Sequence, residues 1–248
     1  MDTNTARAWL ARWDAQQEHY IADREERFTV IADLVASATA NQPQPSVVDL
    51  GCGPGSLSTR LAERLPKATI VGVDTDPLLL ALARSAHPDA RWVDADLTAP
   101  GWPAVAGLAD PIDAAVSTTA LHWIAEDDLA GIYRELADLI RPGGIFVNAD
   151  HLYDEQSTVG DLAEAISEAR AERAGVTANE NWESWWAAAA ADPELAGLVA
   201  ERERHTNSGH TGNRLSAAGH ARLLRAAGFA QVGVVWQYGN DTVLAAVR

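Results

Sequence analysis

The sequence is poor in basic residues, and lysine is almost absent. Lys67 is the single lysine among 248 residues, and 19 Lys and Arg are set against 35 Asp and Glu, which gives a formal net charge of −16. A surface of that sign repels phosphate groups, and no run of basic residues offsets it. The composition therefore argues against a nucleic-acid partner.

Cysteine and long apolar runs are equally scarce. The single cysteine, Cys52, excludes an intramolecular disulfide and a multi-cysteine metal site. The longest apolar stretches, 78–83 and 185–191, are far shorter than the ~18–20 residues that cross a bilayer, and residues 1–4 do not resemble a secretory signal. The histidine spacing matches no metal motif. We therefore expect a cytoplasmic protein, monomeric or homodimeric, with no membrane or metal partner.

The sequence has an apolar content of 47%, which is ample for a hydrophobic core. Its order of predicted strands and helices is typical of α/β proteins. Apolar β runs alternate with helical patterns in the middle of the chain, which predicts βαβ units and a parallel sheet. Helical patterns precede this part, and an acidic helical insertion follows it. The predicted segments are an N-terminal helical lid (1–45), a ligand-binding core (46–150), an acidic helical cap (151–213), and a helix and β-hairpin that complete the core (214–248).

A glycine-rich loop follows the first predicted strand. Gly51, Gly53 and Gly55 lie between this strand and a helix, where the backbone can approach a ligand closely. The dinucleotide fingerprint would need a third glycine at Ser56, which weakens a pyrophosphate assignment. Asp74, at the end of the next strand, can bind ribose hydroxyls of NAD or of another adenosine ligand. The loop therefore predicts an adenosine-containing ligand, and an NAD-dependent oxidoreductase stays an alternative.

Four stretches, in order, have a common resemblance. They are 47–55 (VVDLGCGPG), 71–77 (VGVDTDP), 93–97 (VDADL) and 139–144 (LIRPGG). Together they resemble the class I S-adenosylmethionine-dependent methyltransferases, over about residues 46–150 and, more loosely, the C-terminal hairpin. The resemblance implies a Rossmann-like, seven-stranded, mostly parallel sheet with a C-terminal antiparallel hairpin. It also implies S-adenosyl-L-methionine as cofactor.

The same resemblance implies roles for individual residues of the cofactor site. Asp49 would position the glycine loop, which would lie beneath the methionine part of the cofactor. Asp74 would bind the ribose, and Asp96 would accept a hydrogen bond from the adenine amino group, beside the backbone N–H of Leu97. The full predicted cofactor site is Asp49, Gly51, Cys52, Gly53, Gly55, Asp74, Thr75, Asp96, Leu97 and Thr118.

The triplet Leu-His-Trp at 121–123 follows the fourth predicted strand. It resembles that of small-molecule carboxyl methyltransferases, including the trans-aconitate and plant salicylate types. The resemblance implies that His122 and Trp123 hold a substrate carboxylate. The alternative is a purely structural role, in which His122 caps a strand end and Trp123 is a core residue.

Other residues are candidates for the acceptor side. Tyr20 and Arg24 are spaced as on one helix face, and an arginine fork recognises carboxylates, although surface ion pairing explains Arg24 equally well. His151, after the fifth strand, would suit a general base for phenol or amine methylation. Three tryptophans of the insertion are expected to attach it to the sheet or to line a substrate pocket; they are Trp182, Trp185 and Trp186.

These patterns predict an enzyme that methylates a small organic molecule, most simply at oxygen, with a carboxylate as one candidate acceptor. The alternatives are an N- or C-methyltransferase of specialised metabolism, an NAD-dependent oxidoreductase, and a non-catalytic S-adenosylmethionine-binding protein.

Overall fold

The computed structural model describes residues 1–108, 111–206 and 212–248, and its centre is a seven-stranded sheet. The strands are β1 Ser46–Leu50, β2 Thr69–Asp74, β3 Arg91–Asp94, β4 Ile112–Thr118, β5 Ile140–His151, β6 Gln231–Tyr238 and β7 Asp241–Val247. Their order in the sheet is β3-β2-β1-β4-β5-β7-β6. Strands β1 to β5 pair in parallel, and β7 is antiparallel to both β5 and β6. The predicted Rossmann-like sheet with its C-terminal hairpin is confirmed.

Helices connect the strands and precede them. They are α1 Thr3–Glu18, α2 Arg24–Ala38, α3 Ser56–Arg64, α4 Pro77–Ala86, α5 Trp102–Val105, α6 Glu126–Leu139, α7 Ser157–Ala174, α8 Trp182–Ala191, α9 Ala196–Thr206 and α10 Ala217–Ala227. Single 3₁₀ turns form at Leu121–Trp123 and Val176–Ala178. In the part of the chain that the structure describes, every helix is too short or too polar to cross a membrane.

Helices cover both faces of the sheet, which is why its central strands are apolar along their length. Val47 of β1 belongs to a core that α2 and α3 complete, with Phe28 and Leu61. Val48, the next residue of the strand, belongs to the opposite core, which contains Tyr133 of α6. The alternation of side chains along a strand thus divides β1 between two hydrophobic cores.

The boundaries of α3 and α6 are set by the residues next to them. Gly55 takes the N-cap position of α3 with φ of +90°, and Ser56 is the first helical residue. The Ser56 hydroxyl donates to Asp14 Oδ1 of α1 at 2.6 Å. At the end of α6, β5 begins at Ile140, directly after the helix, and its pairing with β4 is irregular there.

The tryptophans of the insertion do not attach it to the sheet, so that prediction is wrong. The ring centroids of Trp182, Trp185 and Trp186 lie 5.5, 5.0 and 6.4 Å from that of Trp13 in α1. Leucines of α4 complete this cluster, which bridges α8 to the N-terminal helix. Hydrophobic burial therefore joins the predicted lid to the predicted cap. Residues 207–211 of the predicted cap lie outside the described residues.

Candidate active site

A cavity of about 1470 Å³ opens at the carboxyl ends of β1, β2 and β4. This is the edge of the sheet where the strand order reverses between β1 and β4, the place at which open α/β sheets bind ligands. The turn between α1 and α2 lines the cavity through Tyr20 and Ile21, and the insertion adds Ser167 and Trp182. The predicted lid and cap therefore meet above the sheet edge.

The glycine loop forms the floor of the cavity. Gly51, Gly53 and Gly55 have φ of +68°, +53° and +90°, a region that other residues rarely adopt. A Cβ at Gly51 would lie 2.3 Å from the Cβ of Ala120, and one at Gly55 would lie 2.3 Å from the Trp92 ring. Two neighbouring elements thus approach the loop more closely than any side chain permits, so glycine is required there.

The Asp74 carboxylate ties the loop to the end of β2. Its Oδ2 accepts from the backbone N–H of Gly53 at 2.7 Å, and its Oδ1 accepts from the N–H groups of Thr75 and Asp76 at 2.8 Å each. Carboxylates still have lone pairs available beyond three such bonds. The position suits the predicted contact with ribose, which stays a prediction.

Asp49 lies beneath the loop rather than in the cavity. It is fully buried, and its Oδ2 accepts from the Ser58 hydroxyl at 2.6 Å. Its Oδ1 has no hydrogen-bond partner among the residues that the structure describes. Burial raises the pKa of Asp49 to about 7. Asp49 therefore connects β1 to α3, on either side of the glycine loop.

The remaining predicted cofactor residues are brought to the same cavity, except Gly55, which does not line it. The lining includes Gly51, Cys52, Gly53, Asp74, Thr75, Asp96, Leu97 and Thr118. Asp96 is exposed, and its Oδ1 accepts from the backbone and hydroxyl of Thr98 at 2.8 and 2.7 Å. Thr118 Oγ1 is buried and unpartnered within the described ranges. Cys52 is buried, and burial raises the pKa of its thiol, so it is no nucleophile.

Another part of the cavity wall, after the end of β4, is built around His122. The Leu121–Trp123 turn follows β4, and Nδ1 of His122 lies 2.9 Å from each carboxylate oxygen of Asp150. Trp123 is 61% exposed, with its ring centroid 4.9 Å from that of His122, so the alternative that it is a core residue is wrong. Asp150 was not singled out from the sequence, and its signal was its place at the carboxyl end of β5.

Asn213 holds the turn that contains His122. Its backbone N–H donates to the carbonyl of His122 at 2.9 Å, and its side-chain Nδ2 donates to the carbonyls of Leu121 and Ile124 at 2.9 and 2.8 Å. About ninety residues separate Asn213 from the turn in sequence, and no local pattern indicates this contact. The contact makes His122 a fixed feature of the cavity wall.

Tyr20 and Arg24 do not share a helix face, which corrects the prediction. α1 ends at Glu18 and α2 begins at Arg24, so Tyr20 lies in the turn between them. The Tyr20 hydroxyl accepts a hydrogen bond from the backbone N–H of Trp182 at 3.1 Å. Arg24 is buried, and its guanidinium donates to Asp14 at 2.6 Å. Both residues line the cavity, but the charge of Arg24 is already compensated, and its ion pair is internal rather than on the surface.

His151 also lines the cavity, next to a buried ion pair. Arg27 of α2 and Asp241 of β7 lie 3.0 Å apart there. Burial, and then the positive charge of Arg27, lower the pKa of His151. A neutral imidazole at this position can accept a proton, as the predicted base role requires.

Comparison with known proteins identifies the family to which the chain belongs. A model described as "Methyltransferase domain" matches residues 47–144. The chain is 37% identical over 169 residues to trans-aconitate 2-methyltransferase from Azoarcus sp. (strain BH72), which is 65% of this chain and 62% of that protein. It is 32% identical over 189 residues to trans-aconitate 2-methyltransferase from Methylobacterium nodulans, covering 73% of this chain and 69% of that protein. The chain belongs to the class I S-adenosylmethionine-dependent methyltransferases.

A solved structure shares the fold of this methyltransferase. It is that of an O-methyltransferase family protein from Burkholderia thailandensis, with a TM-score of 0.58 at 17% identity over 94% of this chain and 62% of that one. The chain spans less than two thirds of the Azoarcus enzyme and about half of several other curated relatives. Family and fold are therefore shared, whereas substrate is a separate question.

The residues that line the cavity fit S-adenosylmethionine. The backbone of the glycine loop approaches the cavity without side chains, Asp74 and Asp96 bring carboxylate acceptors to it, and the Thr118 hydroxyl is buried without a partner inside the described structure. Methyltransferase family membership thus replaces the alternative of an NAD-dependent oxidoreductase, in line with the missing third glycine at Ser56.

Proposed function

We propose that the chain is an enzyme that transfers a methyl group from S-adenosylmethionine to an oxygen atom of a small organic molecule. The observation that carries the proposal is the continuity of one cavity. The glycine loop and Asp74 line one part of it, here called the cofactor end, and His122 and Trp123 line another, called the acceptor end. A donor bound at the cofactor end and an acceptor bound at the acceptor end would share one space, which is what direct transfer requires.

The chain's own residues would bind both reactants and exclude water. S-adenosylmethionine, when bound, supplies a methyl carbon that is electrophilic because its sulfur carries a positive charge. We propose that residues 1–45 and 151–213 act as lid and cap over the 46–150 core, which 214–248 completes. The hydrogen bond between Tyr20 and Trp182 and the tryptophan cluster around Trp13 support this division, because they join lid to cap above the cavity. A closed roof suits a small acceptor.

Two oxygen acceptors are candidates within this proposal. A carboxylate is supported by the names of the relatives, which are trans-aconitate 2-methyltransferases, and by the predicted role of His122 and Trp123. A hydroxyl is supported by the two histidines of the cavity wall, His122 and His151, because a hydroxyl must lose a proton during transfer. Nitrogen and carbon acceptors are the further alternatives.

The first experiment measures thermal stability with S-adenosylmethionine, S-adenosylhomocysteine or NADH. A ligand at 100 times its dissociation constant stabilises a protein by about 2.7 kcal/mol. We expect both adenosyl-sulfur ligands to raise the melting temperature of the wild type and NADH to leave it unchanged. Asp74→Ala should lose the response, whereas Asp89→Ala, an exposed carboxylate beyond α4, should keep it. Stabilisation by NADH alone would contradict the cofactor assignment.

The second experiment asks whether the bound donor is used. Release of S-adenosylhomocysteine with a panel of small acids, phenols and amines separates an enzyme from a non-catalytic binding protein. Turnover with an oxygen acceptor is expected. Tight cofactor binding without turnover of any acceptor would favour the non-catalytic alternative.

The setting of the protein is part of the same proposal. We propose a cytoplasmic monomer or homodimer that acts without nucleic acid. The formal charge of −16 supports the last point. Light scattering after size-exclusion chromatography, with and without added RNA, would measure both the oligomeric state and any such binding.

A further inference from the structure

Asp150 and His122 form a buried hydrogen-bonded pair at the acceptor end of the cavity. Asp150 is 1% exposed, and both of its carboxylate oxygens lie 2.9 Å from Nδ1 of His122. Its Oδ1 also accepts from the backbone N–H of His151 at 2.9 Å. Although burial acts to raise it, the hydrogen bond and charge of His122 hold the pKa of Asp150 below its usual value. Asp150 is therefore an ionised acceptor.

An ionised carboxylate can only accept hydrogen bonds, so the proton of a neutral His122 must be on Nδ1. The other ring nitrogen, Nε2, then has a free lone pair. The side chain of His122 is 32% exposed and lines the cavity, whereas Asp150 does not. In its neutral form the imidazole thus offers Nε2 as a proton acceptor to whatever occupies this part of the cavity.

The charges around the cavity disfavour a polyanionic acceptor. Arg24 and Arg202 line the cavity, but Arg24 donates to Asp14 at 2.6 Å and Arg202 to Asp76 at 2.7 Å. Carboxylates line it from the insertion, on one face of α7; they are Glu164, Glu168 and Glu172. A tricarboxylate would meet these acidic groups, and the arginines that line the cavity among the described residues, Arg24 and Arg202, already have carboxylate partners.

We propose that Asp150 is a positioning residue that holds Nε2 of His122 ready to take a proton from the hydroxyl of an uncharged phenol or alcohol, rather than to bind a tricarboxylate. The inference rests on the proposed methyl transfer and names the acceptor class of that same site. The Asn213 bonds to the Leu121–Trp123 turn support it, because a base acts efficiently only when its position is fixed.

The transfer balances with these groups. The acceptor oxygen forms a bond to the methyl carbon with its lone pair, and the bond from that carbon to sulfur breaks with its electron pair kept on sulfur. Nε2 of His122 takes the hydroxyl proton and later releases it to solvent. The products are a methyl ether, S-adenosylhomocysteine and a proton, and no oxidant or reductant is consumed.

Other titratable groups face this pair and must be considered for its pH dependence. His151 follows on β5, and Arg27 of α2 pairs with Asp241 of β7 beside it. Tyr133 of α6 and His220 of α10 form a buried hydrogen bond of 2.7 Å on the other side. Burial lowers the pKa of His220 to about 4 and raises that of Tyr133, so both are neutral near pH 7.

The decisive measurement is the tautomer of His122, determined by nitrogen-15 NMR of labelled protein. The ring-nitrogen resonances of His122 are assigned by their absence from the spectrum of His122→Gln. We expect the proton on Nδ1 in the wild type and a shift toward the Nε2–H form in Asp150→Asn. In protein loaded with S-adenosylhomocysteine, catechol or benzyl alcohol should perturb the Nε2 resonance, and trans-aconitate should not. A proton on Nε2 in the wild type, or a response to trans-aconitate alone, overturns the proposal.

Turnover gives the second readout. With catechol as acceptor, Asp150→Asn should lower kcat about 100-fold and move the ascending limb of the pH profile, while S-adenosylmethionine affinity changes less than about twofold. The matched control is Asp113→Asn, a buried carboxylate at the amino end of β4 that pairs with Arg141 at 2.6 Å and should leave kcat unchanged. Equal losses in kcat and in cofactor affinity would mean that Asp150 is merely structural. Absence of cofactor binding in the wild type would instead reject the proposed function, since the tautomer of His122 is measured in the ligand-free protein and does not depend on cofactor binding.

Discussion

The two ends of the cavity are built in different ways. At the cofactor end, Gly51, Gly53 and Asp74 come from two consecutive β-loop-α units, and much of what they present is backbone. At the acceptor end, His122, Asp150 and Asn213 come from three distant parts of the chain and meet through side chains. A short motif therefore describes the first end, whereas only the folded chain brings the second together.

The largest expected effect comes from a substitution at Gly51, where the glycine loop contacts Ala120, the residue before the Leu121–Trp123 turn. Gly51→Ala should lower the free energy of unfolding by about 3 kcal/mol or more, because the new Cβ would meet Ala120 at 2.3 Å in addition to the strained φ of +68°. Gly101→Ala is the matched control, with φ of +82° and nothing within 4 Å in the described protein, and should cost about 1 kcal/mol. Equal losses in denaturant unfolding would refute the close approach.

The next effect concerns the buried charge beneath the cofactor end. Burial raises the pKa of Asp49 from its ordinary value of 3.8 to about 7 in the folded protein, so between these values the folded state binds more protons and stability falls as pH rises. Over pH 5 to 7 the loss is roughly 2 kcal/mol. Asp49→Asn should remove this component, so its stability relative to the wild type should increase from pH 5 to pH 7 in urea unfolding. A constant difference between the two proteins would show that Asp49 does not titrate in this window.

A smaller effect tests the acceptor end. Asn213→Ala removes two side-chain hydrogen bonds to the turn that contains His122, at a cost of about 1 to 2 kcal/mol in stability. Turnover should fall about tenfold at unchanged cofactor affinity, because a loosened His122 is a poorer base. Asn179→Ala loses a similar bond, from Nδ2 to the Ala15 carbonyl at 2.9 Å, and should cost stability without lowering kcat. Steady-state kinetics with both variants decides the point.

The smallest effect tests whether Thr118, at the end of β4, belongs to the cofactor end of the cavity. Thr118→Val replaces a buried hydroxyl that has no partner in the described ranges with a methyl group of the same shape. We expect unchanged or slightly higher stability of the free protein, and S-adenosylmethionine affinity weaker by about tenfold, near 1.4 kcal/mol, if the hydroxyl binds the cofactor. Calorimetric titration together with thermal unfolding separates the two quantities. Unchanged affinity would remove Thr118 from the cofactor site.

Prediction from sequence succeeded where structure is local. The glycine loop between the first strand and a helix was predicted correctly, because strand periodicity and glycine conformation act over a few neighbours. It failed for Tyr20 and Arg24. Their helical spacing was real, but the chain turns between α1 and α2, and tertiary contacts override such a pattern.

The prediction that the tryptophans attach the insertion to the sheet was wrong for a related reason. A helical spacing of Trp182, Trp185 and Trp186 indicates which residues share a face, but not the surface on which that face packs. Trp13, which provides that surface, is 169 positions before Trp182 in the sequence. Asp150 was missed because one carboxylate after a strand is common, and its meaning came only from its contact with His122.

By itself the sequence determined the family, the mostly parallel sheet and the glycine loop after its first strand, because strand periodicity, glycine conformation and backbone hydrogen bonding act between near neighbours. Tertiary structure alone decided that Arg24 is compensated by Asp14 and that Asp150 orients His122. These are side-chain contacts between segments far apart in the chain, and their distances depend on how whole helices and strands pack. Charge compensation and proton position follow from such distances, so they are properties of the folded molecule.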